Sequence, residues 1–395
     1  MDVLAVLALL ATIGEWGPRA WSEPRLRGIR AGALLLAAAT VPAVWNGVDA
    51  GYPDALKGTI LGLYPILGWL AATWVLTRPP SELRRWRWVV YVPASGVMLS
   101  VALQEPVTPA ASGLYLALAG AFSVQLRHQG NSRPLIWTLV GTAVLTAVAS
   151  KRGAILAVLA AIAAAAIASR SSRQHVRRLP VLTWLVAIGA VIGIIGFSTS
   201  GERLSDAPVV GGLVSRLESS PDSEAANNVE LRFAMWQAAI DTANQEPLLG
   251  AGAGRPLGVS LPGQPIHDPK SGPHNSFIGY IYYLGWPAGL TFLLMALGAL
   301  RRTWQARHNL VAASWFGVMI GVCVTAFTNV AFETTFIGLP SWLALSCAFA
   351  LVGVPQEDRG AARSAPKARG GQGAPPRDGS RPHGVPLPAA ASSPT

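Results

Sequence analysis

The chain has 395 residues, 51% of them hydrophobic and only 13% charged, with a mean hydropathy of +0.39. That balance excludes an ordinary soluble domain, and apolar runs approaching about 20 residues predict a polytopic α-helical membrane protein. A formal charge of +11 raises nucleic acid as a partner, but Lys and Arg gathered in cytoplasmic loops explain it, so no nucleic acid is expected.

The first apolar run, Val3 to Ile13, is half a span and has neither a basic n-region nor a small-residue cleavage site, so it does not read as a signal peptide. Further spans are predicted at 31–48, 59–77, 88–103, 107–125, 134–149, 153–168 and 180–198, then at 276–300, 310–330 and 334–354. The expected fold class is all-α: a transmembrane helix bundle of about 10–12 spans with a large extracytoplasmic loop containing helices. Four regions follow: N-terminal transmembrane helices over 1–198, the loop with its Gly-rich segment over 199–273, C-terminal transmembrane helices over 274–354, and a tail over 355–395. That tail is rich in Gly, Pro, Arg and Ser, cannot bury a core, and is expected to be disordered.

Orientation follows from the cations. Of the 31 Lys and Arg residues, 23 fall on one side of the predicted spans, among them Arg25, Arg27, Arg30, Arg301, Arg302, Arg307 and those of the tail. That side is read as cytoplasmic, with the protein in the inner (plasma) membrane. The 199–273 loop is then extracytoplasmic, and its length marks it as functional. Eleven spans with a cytoplasmic tail would start the chain outside, so either Val3 to Ile13 is not a true span or a further helix precedes it.

The chain is organised around Glu246 to Gly289, where a polar helix stops at Pro247, glycines alternate at 250, 252 and 254, and Gly272-Pro273-His274-Asn275 enters an apolar span. Alternating glycines allow tight bends that bring amide N–H groups to a bound anion. His128, His175, His308 and His383 fall on the cytoplasmic side, leaving His267 and His274 outside. His274 stands at the mouth of a helix with an ordinary pKa near about 6.5, suited to accepting a proton; the plainer alternative is a side chain that anchors the helix start.

Lys151 and Arg152 interrupt two apolar spans at their outer end, where paired cations invite a phosphate or else snorkel to lipid headgroups. Arg is the better phosphate ligand because its planar fork donates two hydrogen bonds. Arg232 lies in a predicted helix with Leu231, Ala234, Met235 and Ala238 on its apolar face, and shares an adjoining face with Trp236 and Ala239. It either points into a cleft or is a solvated arginine paired with an acid such as Glu230. Asn329 and Glu333 also approach the outer surface, and Glu333 is placed to orient a cation or a base. Cys323 and Cys347 both lie in apolar spans and read as packing residues.

No Asp-x-Asp pair is present, the nearest approximation being Asp222-Ser223-Glu224, and there is no Gly-Lys-Ser/Thr phosphate loop or His-Glu-x-x-His helix. ATP-driven transport and zinc proteolysis are disfavoured, and neither a metal site nor a cofactor is expected.

The order SKRG at the outer end of a span, LRFAMWQAAIDTANQEPLLGAGAG in the loop, and PHNSFIGYIYYLGWPAGL opening the next span resembles the O-antigen ligase and polymerase family. The resemblance covers roughly residues 130–350 and is most specific over 228–290. It implies a C-type glycosyltransferase-like fold and a metal-independent, inverting transfer of a glycan from undecaprenyl diphosphate to a lipid or glycan acceptor hydroxyl. The functional residues it implies are Arg152, Arg232 and His274; Lys151, Gly252 and Gly254 would assist in holding the lipid diphosphate, with Asn275 and Glu333 in support. Ligases, polymerases and protein-directed members share this signature. A transporter or flippase, or a membrane scaffold, is the reading from a different class.

Overall fold

The computed structural model describes residues 17–76, 109–128, 130–149, 152–170, 222–259 and 272–351. The runs expected at 3–13, 88–103 and 180–198, loop residues 199–221 and 260–271 with His267 among them, and the tail lie outside the described residues, as does Lys151. Among the described residues there are helices and turns and no strand.

Ten helices carry the argument: α1 (Arg27–Asp49), α2 (Ile60–Leu76), α3 (Pro109–His128), α4 (Arg133–Ala149), α5 (Arg152–Ser169), α6 (Asp222–Gln245), α7 (Ser276–Leu284), α8 (Trp286–Gln305), α9 (Leu310–Thr328) and α10 (Thr335–Leu351). By length and composition, three segments among the described residues suffice to cross a membrane, Pro24–Asp49, Ala55–Leu76 and Leu310–Thr328. Shorter apolar helices run over Ala154–Ser169 and Ile337–Ala350.

Small residues set the closest packing. In α9, Gly317 and Gly321 are one turn apart; a Cβ on Gly317 would lie 2.5 Å from Ala161 O, and one on Gly321 would lie 3.0 Å from Ala161 Cβ and 3.3 Å from Ala157 O. Small residues four apart let two helix backbones touch, which is how helices adhere where lipid removes the hydrophobic driving force. The pairing also fixes direction. Residue 317 faces 161 and 165 while 321 faces 157 and 161, so α5 and α9 are antiparallel and the start of α5 at Arg152 lies level with the end of α9 at Thr328.

The span expected at 276–300 is not one helix. Its apolarity is continuous, but Gly285, at φ 86°, ends α7 and begins α8. A Cβ at Gly285 would lie 2.6 Å from Leu248 O, so neither the dihedral nor the space admits another residue. Pro287 sits in the first turn of α8, where its missing N–H costs nothing. Helix α7 has 9 residues, about 14 Å at 1.5 Å per residue, against a hydrocarbon core of about 30 Å. It folds back along α8, with Phe277 and Tyr280 against Phe292 at 5.2 and 4.5 Å between ring centroids. Phe332 and Trp342 complete this buried aromatic cluster, and Trp342 Nε1 donates to Tyr280 Oη at 3.2 Å.

At the opposite end of α8, Arg302 donates to Arg25 O at 3.0 Å and lies over the Phe349 ring. The basic residues before α1 and after α8 thus share one end of the bundle. The other end gathers the end of α1, the start of α5, α6, the loop after it, and the turn between α9 and α10.

Candidate active site

Helix α6 ends just before Pro247, as the sequence predicts, and its buried stripe is Leu231, Met235 and Ala239, packed with Ala251, Leu257 and Tyr282. Ala239, expected beside Arg232, therefore belongs to the buried stripe, while Ala234 and Ala238 are half-buried. One face round are Arg232 and Trp236, one turn apart. Each bonds a different part of the chain. Arg232 Nη1 donates to Thr328 O at 2.7 Å, a carbonyl that the end of α9 leaves without a helical partner. Trp236 Nε1 donates to Pro273 O at 2.8 Å.

Burial lowers the pKa of Arg232, yet a guanidinium stays protonated at any working pH. Thr328 O occupies one of its five donors. Among the described residues no carboxylate lies within ion-pair distance of it. A half-buried cation that no described carboxylate neutralises is suited to an anion supplied from outside.

Trp236 fixes the residue that precedes His274. His274 has φ 48° and is the one non-glycine residue with positive φ among those described. That conformation costs an L-residue about 1–2 kcal/mol and persists only where its surroundings hold it. Here they hold it from both sides. Upstream is the Trp236 bond; downstream, Asn275 Oδ1 accepts from Phe277 N at 3.0 Å and Ile278 N at 3.3 Å, capping α7. Ser276 Oγ then accepts from Ala331 N at 2.7 Å and Phe332 N at 3.2 Å and donates to Glu333 Oε2. The histidine turn is thereby pinned to the turn between α9 and α10.

Glu333 Oε1 is buried and has no hydrogen-bond partner among the described residues. It occupies the space left by the absent Cβ of Gly279. Burial pushes this carboxyl from 4.5 up to about 7, with the Ser276 hydrogen bond acting in the opposite direction. A carboxyl with a raised folded pKa keeps a proton that the unfolded chain releases. Its stabilising effect is therefore complete below about pH 4.5 and is lost as pH rises to about 7. We expect Glu333→Gln to flatten the fall in melting temperature between those two values, measured on purified protein. Equal slopes in the variant and the wild type would assign the proton elsewhere.

The glycine segment is built for packing. Gly250, Gly252 and Gly254 all have positive φ. A Cβ on Gly250 would lie 2.5 Å from Gly285 N. Ala251 N donates to Tyr282 O at 2.7 Å and Ala253 N to Ala43 O at 2.8 Å, so these amides tie the loop to α7 and α1. Gly252 and Gly254 face the end of α1 and the residues just after it. Asn329 Oδ1 accepts from its neighbour Val330 N. Arg152 is described as the first residue of α5, level with Thr328 and hence with the carbonyl that Arg232 holds. Sequence reasoning missed Ser276, Gly279 and the bridging role of Trp236. The only signals were a serine directly after His-Asn and a glycine one turn later.

The family model for O-antigen ligase matches residues 137–293. That segment includes Arg152, Arg232 and His274 and stops short of Glu333. No curated protein matches the chain. The matched segment carries both the loop-helix arginine and the His-Asn turn, and over residues 137–293 the chain is similar to the O-antigen ligase family.

Proposed function

We propose that the protein transfers a glycan from undecaprenyl diphosphate to an acceptor hydroxyl, on the extracytoplasmic face of the inner membrane, with the 355–395 tail in the cytoplasm. The chain divides in this reading into N-terminal helices over 1–198, a loop over 199–273 that supplies Arg232, and C-terminal helices over 274–354 that begin at His274. One observation carries this reading: Arg232 and Trp236, one turn apart, bond Thr328 O and Pro273 O, so the half-buried guanidinium is tethered close to the His274 turn.

The donor already carries a good leaving group. In the proposed step the acceptor oxygen attacks the anomeric carbon from the face opposite the diphosphate, and the carbon–oxygen bond to the diphosphate breaks with its electron pair leaving on phosphate. Inversion follows. His274 takes the acceptor's proton. Arg232 and Arg152, with Lys151 assisting, offset the charge that develops on the departing diphosphate. Asn275 and Glu333 hold the histidine turn. Gly252 and Gly254 let the loop after α6 seat against the end of α1 and the residues just after it, and that packing favours a supporting role over direct phosphate contact. Charge is balanced by fixed arginines, so the scheme calls for neither a metal nor a cofactor.

The test is transfer from a purified lipid-linked glycan to candidate acceptors, by the protein in lipid nanodiscs. Transfer is expected to persist unchanged in excess chelator, with an inverted linkage in the product. A strict need for Mg²⁺ or Mn²⁺, or a retained linkage, would overturn the scheme. Product length separates a ligase, which moves a finished chain, from a polymerase, which adds repeat units to a lipid-linked glycan.

A further inference from the structure

Beside Arg232 the loop helix exposes an aromatic ring that a water-facing helix has no use for. Phe233 is 60% exposed, and Phe327, in the last turn of α9, is 54% exposed. Trp236 joins them, its ring 5.2 Å from Phe233 and 5.4 Å from Phe327 between centroids, both contacts edge-on. Helix α9 is long and apolar enough to span a membrane, so an exposed ring in its last turn stands at the end of a candidate span, and Phe233 carries that apolar surface onto α6. The cation and the rings are contiguous. Arg232 bonds the carbonyl of Thr328, the residue after Phe327, and Trp236 bonds the carbonyl of Pro273, the residue before His274.

We propose that Phe233, Trp236 and Phe327 form a shelf along which the polyprenyl chain of the donor lies, so that the lipid enters sideways from the bilayer and brings its diphosphate to Arg232. The shelf rests on the glycan-transfer reading and names the part of the donor that the site recognises apart from its charge. An amphipathic anion satisfies both halves of the surface, its phosphates on the guanidinium and its hydrocarbon on the rings. A soluble nucleotide sugar would leave two exposed phenylalanines wet. Apolar contact scales with area, so binding should strengthen with chain length until the shelf is covered.

The experiment compares undecaprenyl diphosphate with a two-isoprene diphosphate, first as ligands in a binding titration on the full chain in nanodiscs, then as the lipid part of glycan donors. Wild type is expected to bind the long chain at least about tenfold more tightly, roughly the contribution of one buried phenylalanine. Phe233→Ser and Phe327→Ala are each expected to remove most of that preference while leaving affinity and transfer with the two-isoprene compounds unchanged. Equal losses with both chain lengths would make the rings merely structural, and no change with either would leave them without a ligand; each overturns the shelf. Absence of a chain-length preference in wild type overturns it too. If the preference and its loss are observed but wild type transfers glycan from neither donor, the shelf stands and the transfer reading falls.

Discussion

His274→Asn is expected to lower glycan transfer by about 10²–10⁴-fold, the usual contribution of a positioned general base. Asparagine is the informative replacement because His274 has φ 48°, and asparagine adopts the left-handed region more readily than most residues. The turn between Pro273 and Asn275 then survives, along with the Trp236 bond and the α7 cap, while the imidazole is gone. His274→Ala should lose the same activity and additionally destabilise the turn, by about 1 kcal/mol. Transfer and thermal unfolding measured on both variants separate the two effects. Near-normal transfer by His274→Asn would remove the imidazole from the chemistry.

Arg232→Ala is expected to lower kcat for transfer by about 10²–10³-fold, the scale for losing one fixed donor to developing charge. The loss should fall mainly on kcat, because charge on the departing diphosphate is greatest in the transition state. Arg232→Lys should recover little. The native guanidinium holds Thr328 O with one N–H and keeps further donors in a rigid fork, whereas an ammonium is a compact point charge on a flexible stem. Transfer kinetics, run beside an unfolding measurement, make the check. If Arg232→Lys keeps full activity, two-point phosphate contact is not required. If the Ala variant loses stability and activity in parallel, the arginine serves only to cap α9.

These expectations depend on contacts of very different legibility. Composition and the spread of Lys and Arg were enough to predict a helical membrane protein, because a bilayer constrains length and charge residue by residue along the chain. Local signals were also sufficient for the helix ended by Pro247, for Arg232 and Trp236 on one face, and for a histidine at a helix entrance, since 3.6-residue periodicity and proline act over a few residues. Continuous apolarity hid the break at Gly285, because hydropathy sums residues without asking whether the backbone reverses. The glycine segment read as an anion cradle because positive φ suits both a nest of amides and a close backbone crossing; the choice between them lay in Ala43 O, Tyr282 O and Gly285, distant in the chain.

What the sequence determined by itself, then, was the class of protein, the family pattern and the identity of the polar residues gathered at one end of the bundle. Only the tertiary structure decided that the Arg232 guanidinium bonds Thr328 O, that Trp236 holds the residue before His274, and that Ser276 fastens the same turn to Glu333. The reason is register. Gly317 and Gly321 seating on Ala157, Ala161 and Ala165 set the height of α9 against α5. Small shifts in such packing would carry the carbonyl of Thr328 away from its arginine, and periodicity along one helix is blind to the height of its neighbour.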